Sequence, residues 1–296
     1  MKNKKGISLI VLVIAIIVMI ILAAAIILSL SNSGIISKAN KAKADNDVSN
    51  AKELVEVAHS EWLPMTADEQ TENGGSFVNY ATDKLEKLGY DPDKYILSEE
   101  GSIEVCVAKI GDTKYSTLKA AVDASSKEGE TTITLVSNIE VSTTVTVYAN
   151  REIVLDLAGY SIYGNKVSCI ENKGYLKIID SSSAKSGKIE AVSDKSKYKE
   201  KYDLNKDGVI NELDNDIITA NYNKDSSDDN WDELKKYDFN NDNILNVSDI
   251  GYIVAAYNAA YAIRNNSELQ IDGISKDNLK GEPTAIYNKS GTVTGY

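Results

Sequence analysis

A stretch of twelve residues occurs twice, 35 positions apart. The first copy is Asp203-Leu204-Asn205-Lys206-Asp207-Gly208-Val209-Ile210-Asn211-Glu212-Leu213-Asp214, and the second is Asp238-Phe239-Asn240-Asn241-Asp242-Asn243-Ile244-Leu245-Asn246-Val247-Ser248-Asp249. Side-chain oxygens stand at positions 1, 3, 5, 9 and 12 of both copies, and Val209 and Ile244 at position 7 offer backbone carbonyls. A hard cation such as Ca²⁺ takes six to eight oxygen ligands, and a loop with oxygens at alternate positions wraps around it. The repeat therefore predicts two Ca²⁺ ions. Position 6 must turn with positive φ, which suits Gly208 and, next best, Asn243. Ile210 and Leu245 at position 8 are expected to pair the two loops side by side.

The duplication continues past the ligands. Residues 214–222 align with 249–257, and both stretches have the apolar spacing of a short helix leaving its loop. This spacing resembles an EF-hand loop, and the loop-plus-helix pair ending in Asp at position 12 resembles the type I dockerin domain, over roughly 200–260. The resemblance implies folding around two Ca²⁺ ions and docking to a cohesin-type partner module. It also implies that loop positions 10 and 11 help select the partner. Here these are Glu212 and Leu213 in the first half, Val247 and Ser248 in the second.

The acidity of the chain is concentrated in this region. Residues 201–260 hold 13 acidic and 5 basic side chains, two thirds of the formal net charge of −12. Local negative charge offset by bound metal argues against a nucleic-acid partner. Cys106 and Cys169 are the only cysteines, too few for a disulfide framework; a single bridge and two buried thiols both remain open. His59 is the only histidine and reads as a solvated helix residue, which leaves histidine-based metal or triad chemistry almost nothing to work with.

At the N-terminus, Lys2, Lys4 and Lys5 precede Ile7–Leu30, 24 residues whose only polar members are Ser8 and Ser29. A helix of that length spans a bilayer, and the basic flank belongs on the cytoplasmic side. The layout Lys5-Gly6-Ile7-Ser8-Leu9 directly before the span resembles a type IV prepilin signal. The resemblance implies cleavage between Gly6 and Ile7, methylation of the new N-terminus, and self-assembly through the helix. Pilins carry Glu at the fifth mature position where this chain has Val11, so a pilin-like membrane stalk is expected rather than a fibre. The helix continues to Trp62, Gly74-Gly75 interrupts it, and a further short helix covers 79–88.

From Ile103 onward, short β-branched runs alternate with Gly, Asn and Ser turns. Residues 107–122 read as a hairpin followed by a short amphipathic helix, and strands are expected near 131–135, 143–148, 152–157, 176–179 and 188–191. The segment Ala262-Ile263-Arg264-Asn265 recurs 23 residues later as Ala285-Ile286-Tyr287-Asn288, and earlier as Cys169-Ile170-Glu171-Asn172. Such periods indicate stacked repeats. The runs around Tyr115, Ile133 and 153–162 resemble the right-handed parallel β-helix of the pectate-lyase-like superfamily. Sugar-cleaving members of that superfamily use clustered acidic or basic residues; only Asp156 and Asp180 are candidates, and turn roles are expected for both.

The expected architecture is multi-domain. A prepilin-like leader (1–6) precedes a transmembrane helix (7–30), a helical stalk (31–62) and a linker with a short helix (63–102). A parallel β-helix follows in two parts (103–196 and 262–296), with an inserted all-α calcium module at 197–261. The chain stops at Tyr296 within a strand, so a further cap or a paired subunit is expected there. The expected function is that of a single-pass membrane protein with its bulk at the cell surface, binding calcium and a cohesin-type partner, with no catalytic residues. The alternatives are a β-helix polysaccharide lyase or hydrolase carrying the module as a tag, and a module whose calcium is purely structural.

Overall fold

The computed structural model describes residues 35–296. Gly6, Ile7 and the apolar run Ile7–Leu30 lie outside the described residues. Among the described residues, no helix is long and apolar enough to cross a membrane.

The chain divides into two compact units, one reaching to Pro92 with Leu97–Ile103, the other comprising Asp93–Ile96 and Glu104–Tyr296. In the first unit, α1 (Ile35–Trp62) presents Ala51, Val55, Ala58 and Trp62 on one face by their helical spacing, and all four are buried. Thr66 and Glu69 form a capping box that starts α2 (Ala67–Glu72), and the Ser76 side chain caps α3 (Phe77–Lys87). Phe77, Tyr80, Ala81 and Leu85 are the buried face of α3, and Trp62 meets the Phe77 and Tyr80 rings at centroid distances of 6.4 and 5.5 Å. His59 is half-buried and sets its ring against Phe77 at 4.8 Å, which corrects the expectation of a solvated histidine.

The second unit is built on three sheets that the chain visits in rotation. One contains, in spatial order, Val145–Val147, Ile170–Asn172, Ile263–Asn265 and Ile286–Asn288. Another contains Ile139–Val141, Ser161–Asn165, Lys188–Val192 and Leu279–Lys280. The third places Glu130–Leu135, Glu152–Asp156, Tyr175–Ile179, Glu268–Asp272 and Thr292–Thr294 side by side in parallel. The antiparallel hairpin Ala108–Ile110 with Thr113–Tyr115 joins Glu130–Leu135 at the edge of that sheet. α4 (Leu118–Ala124) follows the hairpin and buries Leu118, Ala121 and Val122 in the same apolar core as the strands.

Inward side chains form columns across the strands, because alternate residues of a strand face one side. Ile170 pairs with Ile263 and Ile263 with Ile286; Leu155, Ile178 and Ile271 line up likewise in the central sheet. Each fully buried Ile or Leu contributes roughly 1.5–3 kcal/mol. A second column is polar: Asn172 Nδ2 donates to Asn265 Oδ1 at 2.8 Å, and Asn265 Nδ2 donates to Asn288 Oδ1 at 2.8 Å. These are the repeat positions aligned in the sequence, now paired in register.

The expected fold class is overturned. In place of a right-handed parallel β-helix and a separate all-α module, the described residues form an α/β arrangement of parallel and mixed sheets with seven α-helices, none of them apolar enough to cross a membrane, and the expected membrane helix at 7–30 lies outside them. The antiparallel hairpin makes the central sheet mixed, because Val107 and Ala108 bond to Tyr115 and to the Leu135–Val136 segment instead of extending the parallel stack. Residues 197–261 fall in one compact unit with the strands on either side of them.

Candidate metal centre

Both loops fold on one main pattern of hydrogen bonds. In the first, Asp203 accepts the N–H of Asp207 at 3.1 Å and of Gly208 at 3.0 Å. Asn205 Oδ1 accepts from Asp207 N at 3.0 Å, and Asp207 Oδ1 from Val209 N at 3.0 Å. Asp214 reaches back from the following helix to accept the N–H of Leu204 at 2.7 Å and of Asn211 at 2.8 Å. In the second loop Asp238 accepts from Asp242 and Asn243 at 3.2 and 2.9 Å, and Asn240 and Asp242 repeat the inner turns at 3.1 Å each. Asp249 accepts from Phe239 and Asn246 at 2.8 and 3.0 Å. Gly208 and Asn243 have φ of 89° and 66°, the left-handed turn expected at position 6.

Asn211 and Asn246 at position 9 cap the helices that leave the loops, α5 (Glu212–Thr219) and α7 (Val247–Ala255). Each is a capping box whose third helical residue is the position-12 Asp. One carboxylate per half therefore closes the loop and starts the helix together. Between them lies α6 (Trp231–Leu234). Ile210, Ile218, Leu234, Leu245 and Ile253 form the small shared core.

The candidate ligand positions of these loops are carboxylate, amide and backbone oxygens, and thiol and imidazole are absent from both, which suits a hard cation. In the second loop Asp238, Asp242 and Asp249 bring one carboxylate oxygen each within 4.8 Å of one another, the one such acidic triad among the described residues. Like charges this close repel, and a cation removes the repulsion. Burial pushes the Asp214 carboxyl above its ordinary range, against the N–H donors of Asn211, Asn205 and Leu204, and Asp203 adds to the rise. The hydrogen bond from Asn240 holds Asp242 below the ordinary range. Asp203, Asn205, Asp207, Asn211, Asp214 and the Val209 carbonyl could hold one cation; Asp238, Asn240, Asp242, Asn246, Asp249 and the Ile244 carbonyl could hold another.

The loops do not pair with each other as expected from Ile210 and Leu245. Both side chains enter the shared core, but their main chains pair crosswise. Leu245 exchanges hydrogen bonds with Asn223 and Lys224, just past α5. Ile210 O accepts from Asn258 N at 3.0 Å and Ile210 N donates to Asn258 Oδ1 at 2.8 Å, just past α7. Asn223 and Asn258 are themselves 35 residues apart, so the duplication extended slightly further would have marked both. Tyr198, whose hydroxyl donates to Asp203 at 2.9 Å, carries no such signal.

The four expected partner residues differ in their surroundings. Leu213 and Val247 are 40% and 66% exposed, and Ser248 is exposed beside Val247. Glu212 instead forms an ion pair with Arg264 of the neighbouring strand. Asp156 accepts the N–H groups of Ala158 and Ser181, and Asp180 those of Gly159, Ser182 and Gly187, all at 2.7–3.0 Å. Asp156 ends its strand and uses Oδ1 for both bonds, whereas Asp180 uses both oxygens to bind turn N–H groups. Cys106 and Cys169 are free and buried, and burial pushes the Cys169 thiol up to about 12.

No family model, curated protein or solved structure matches this chain.

Proposed function

We propose that residues 200–260 are a dockerin-like module that binds two Ca²⁺ ions and docks a cohesin-type protein module at the cell surface. The reading rests on one observation: two oxygen-lined loops, sharing one main hydrogen-bond pattern, each begin a helix whose first turn exposes an apolar residue, Leu213 or Val247. Two Ca²⁺ ions would offset most of the charge of six loop carboxylates and cross-link a small core, so metal binding is coupled to folding. In this reading the basic leader and the apolar N-terminal run carry the chain to the membrane, with processing between Gly6 and Ile7.

Calorimetric titration with CaCl₂ and pull-down on a panel of cohesin modules, with and without chelator, test the proposal. Two bound ions and chelator-sensitive capture support it. Absence of calcium binding removes it; calcium binding without capture by any module removes the docking half. Mass spectrometry of membrane-extracted protein should find N-methylated Ile7, and recovery of intact Met1 alone would reduce the leader to a plain anchor.

A purely structural calcium role is the second reading. It is favoured by the Glu212–Arg264 pair, which engages one of the four candidate docking residues within the chain itself.

A further inference from the structure

The two halves of the metal-binding region match internally but are used differently. The first half is tied to the stacked strands through two polar links. Glu212, at the start of α5, pairs with Arg264, whose guanidinium lies over the stacked rings of Tyr261 and Tyr287. Asn215, one turn on, donates to the hydroxyl of Tyr257 just past α7, a contact within the region itself. Asn258 joins loop position 8 at Ile210 to Asp194, whose N–H donates to the Asn258 carbonyl at 2.9 Å. Asp194 lies two residues past the strand Lys188–Val192, and Asn258 lies just before Ile263–Asn265. One buried asparagine therefore connects the first loop with both chain segments that lead back to the sheets.

The second half lacks the ion pair. Val247 of α7 stands where Glu212 stands on α5, and it is apolar and exposed. Where Asn258 places a side-chain amide against Ile210 N, the second half uses only the local Lys224 carbonyl against Leu245 N.

The seam is also short of hydrogen bonds. Among the described residues, six buried polar side-chain atoms lack a partner, and four belong to Asn211, Asn215, Asn258 and Tyr261, all along this seam. Buried polar groups left unpaired weaken the packing around them and make a region the first to open.

We infer that this seam is a joint controlled by the first metal loop: an ion there locks position 8 against Asn258 and holds the region on the strands, while the ion in loop 2 is not coupled to it. The inference rests on the calcium reading above. Locking requires that the ion and the seam favour one another, and such coupling is reciprocal. Weakening the seam from the strand side must therefore weaken the first ion.

The test uses the full chain and its Asn258→Ala and Arg264→Met variants, titrated with CaCl₂ by calorimetry. Hydrogen exchange read by mass spectrometry assigns each ion to a loop. Arg264 is outward-facing and partly exposed, so its variant keeps the test valid if Asn258→Ala does not fold. Each folded variant should lose about five- to tenfold in affinity for the loop-1 ion, with the loop-2 ion within about twofold of the parent. Calcium should slow exchange across 192–196 and 257–264 in the parent, less so in the variants. Equal effects on both ions, or no effect on either, would overturn the joint while leaving calcium binding intact. Failure of the parent to bind calcium would overturn the underlying reading and the joint with it.

Discussion

Asn265→Ala is expected to be among the costliest polar substitutions in this protein. Asn265 is fully buried in the polar column, and its amide makes three short hydrogen bonds, each of 2.8 Å, with Asn172, Ser267 and Asn288. A net contribution near 1 kcal/mol per bond gives about 3 kcal/mol, and donors left unpaired in a dry interior raise the total to about 3–5 kcal/mol. Two partners retain some compensation: Asn172 still donates to Glu268 O at 2.9 Å, and Ser267 O still accepts from Thr292 N at 3.0 Å. The upper end is therefore not expected. Asn288→Ala removes the same chemistry at an exposed position and should cost only about 0.5–1 kcal/mol, because water replaces the lost bond. Equilibrium urea unfolding of both variants measures the difference as a shift in midpoint at unchanged slope. An Asn265→Ala cost below about 1.5 kcal/mol, or equal costs for the two variants, would refute the assignment of this stability to the buried column.

Three further predictions follow from individual sites. Burial opposes ionisation of Asp180, but the Ser182, Gly187 and Gly159 donors outweigh it and hold the carboxyl below its ordinary range; its stabilisation is present above about pH 4 and lost as pH falls below that. Thermal unfolding followed against pH should show the parent and Asp180→Asn curves converging in acid, and parallel curves would contradict the sign. Gly174→Ala should destabilise by about 2–4 kcal/mol, since an added Cβ would sit 2.3 Å from Tyr148 O and 2.5 Å from Arg151 O; a change in melting temperature within error would show that this turn can shift. Val247→Asp and Leu213→Asp should abolish capture by a cohesin-type partner while leaving calcium affinity within a few-fold, as both side chains are exposed; unchanged capture in both would place the interface elsewhere.

Local chemistry was legible in the sequence wherever one residue type is demanded by one position. Oxygens at alternate loop positions and a residue tolerant of positive φ at Gly208 and Asn243 read the same in the chain and in the structure. The repeat at Ile170, Ile263 and Ile286 likewise became strand register, because side chains that must stack at a fixed spacing leave a periodic record. What was not legible depends on which surfaces meet. The hairpin at Ala108–Tyr115 was read correctly as a hairpin, yet only the assembled sheet shows that it turns a parallel stack into a mixed one. Glu212 and Leu213 are neighbours with the same local geometry, but tertiary packing sets one against Arg264 and leaves the other in solvent. Ile210 and Leu245 were matched with each other by sequence, while the fold pairs each main chain with the segment after the opposite helix. Spacing along a chain determines which atoms converge within a loop; the partner across a seam is determined only when distant segments, here Asp194, Ile210 and Asn258, compete for the same hydrogen bonds.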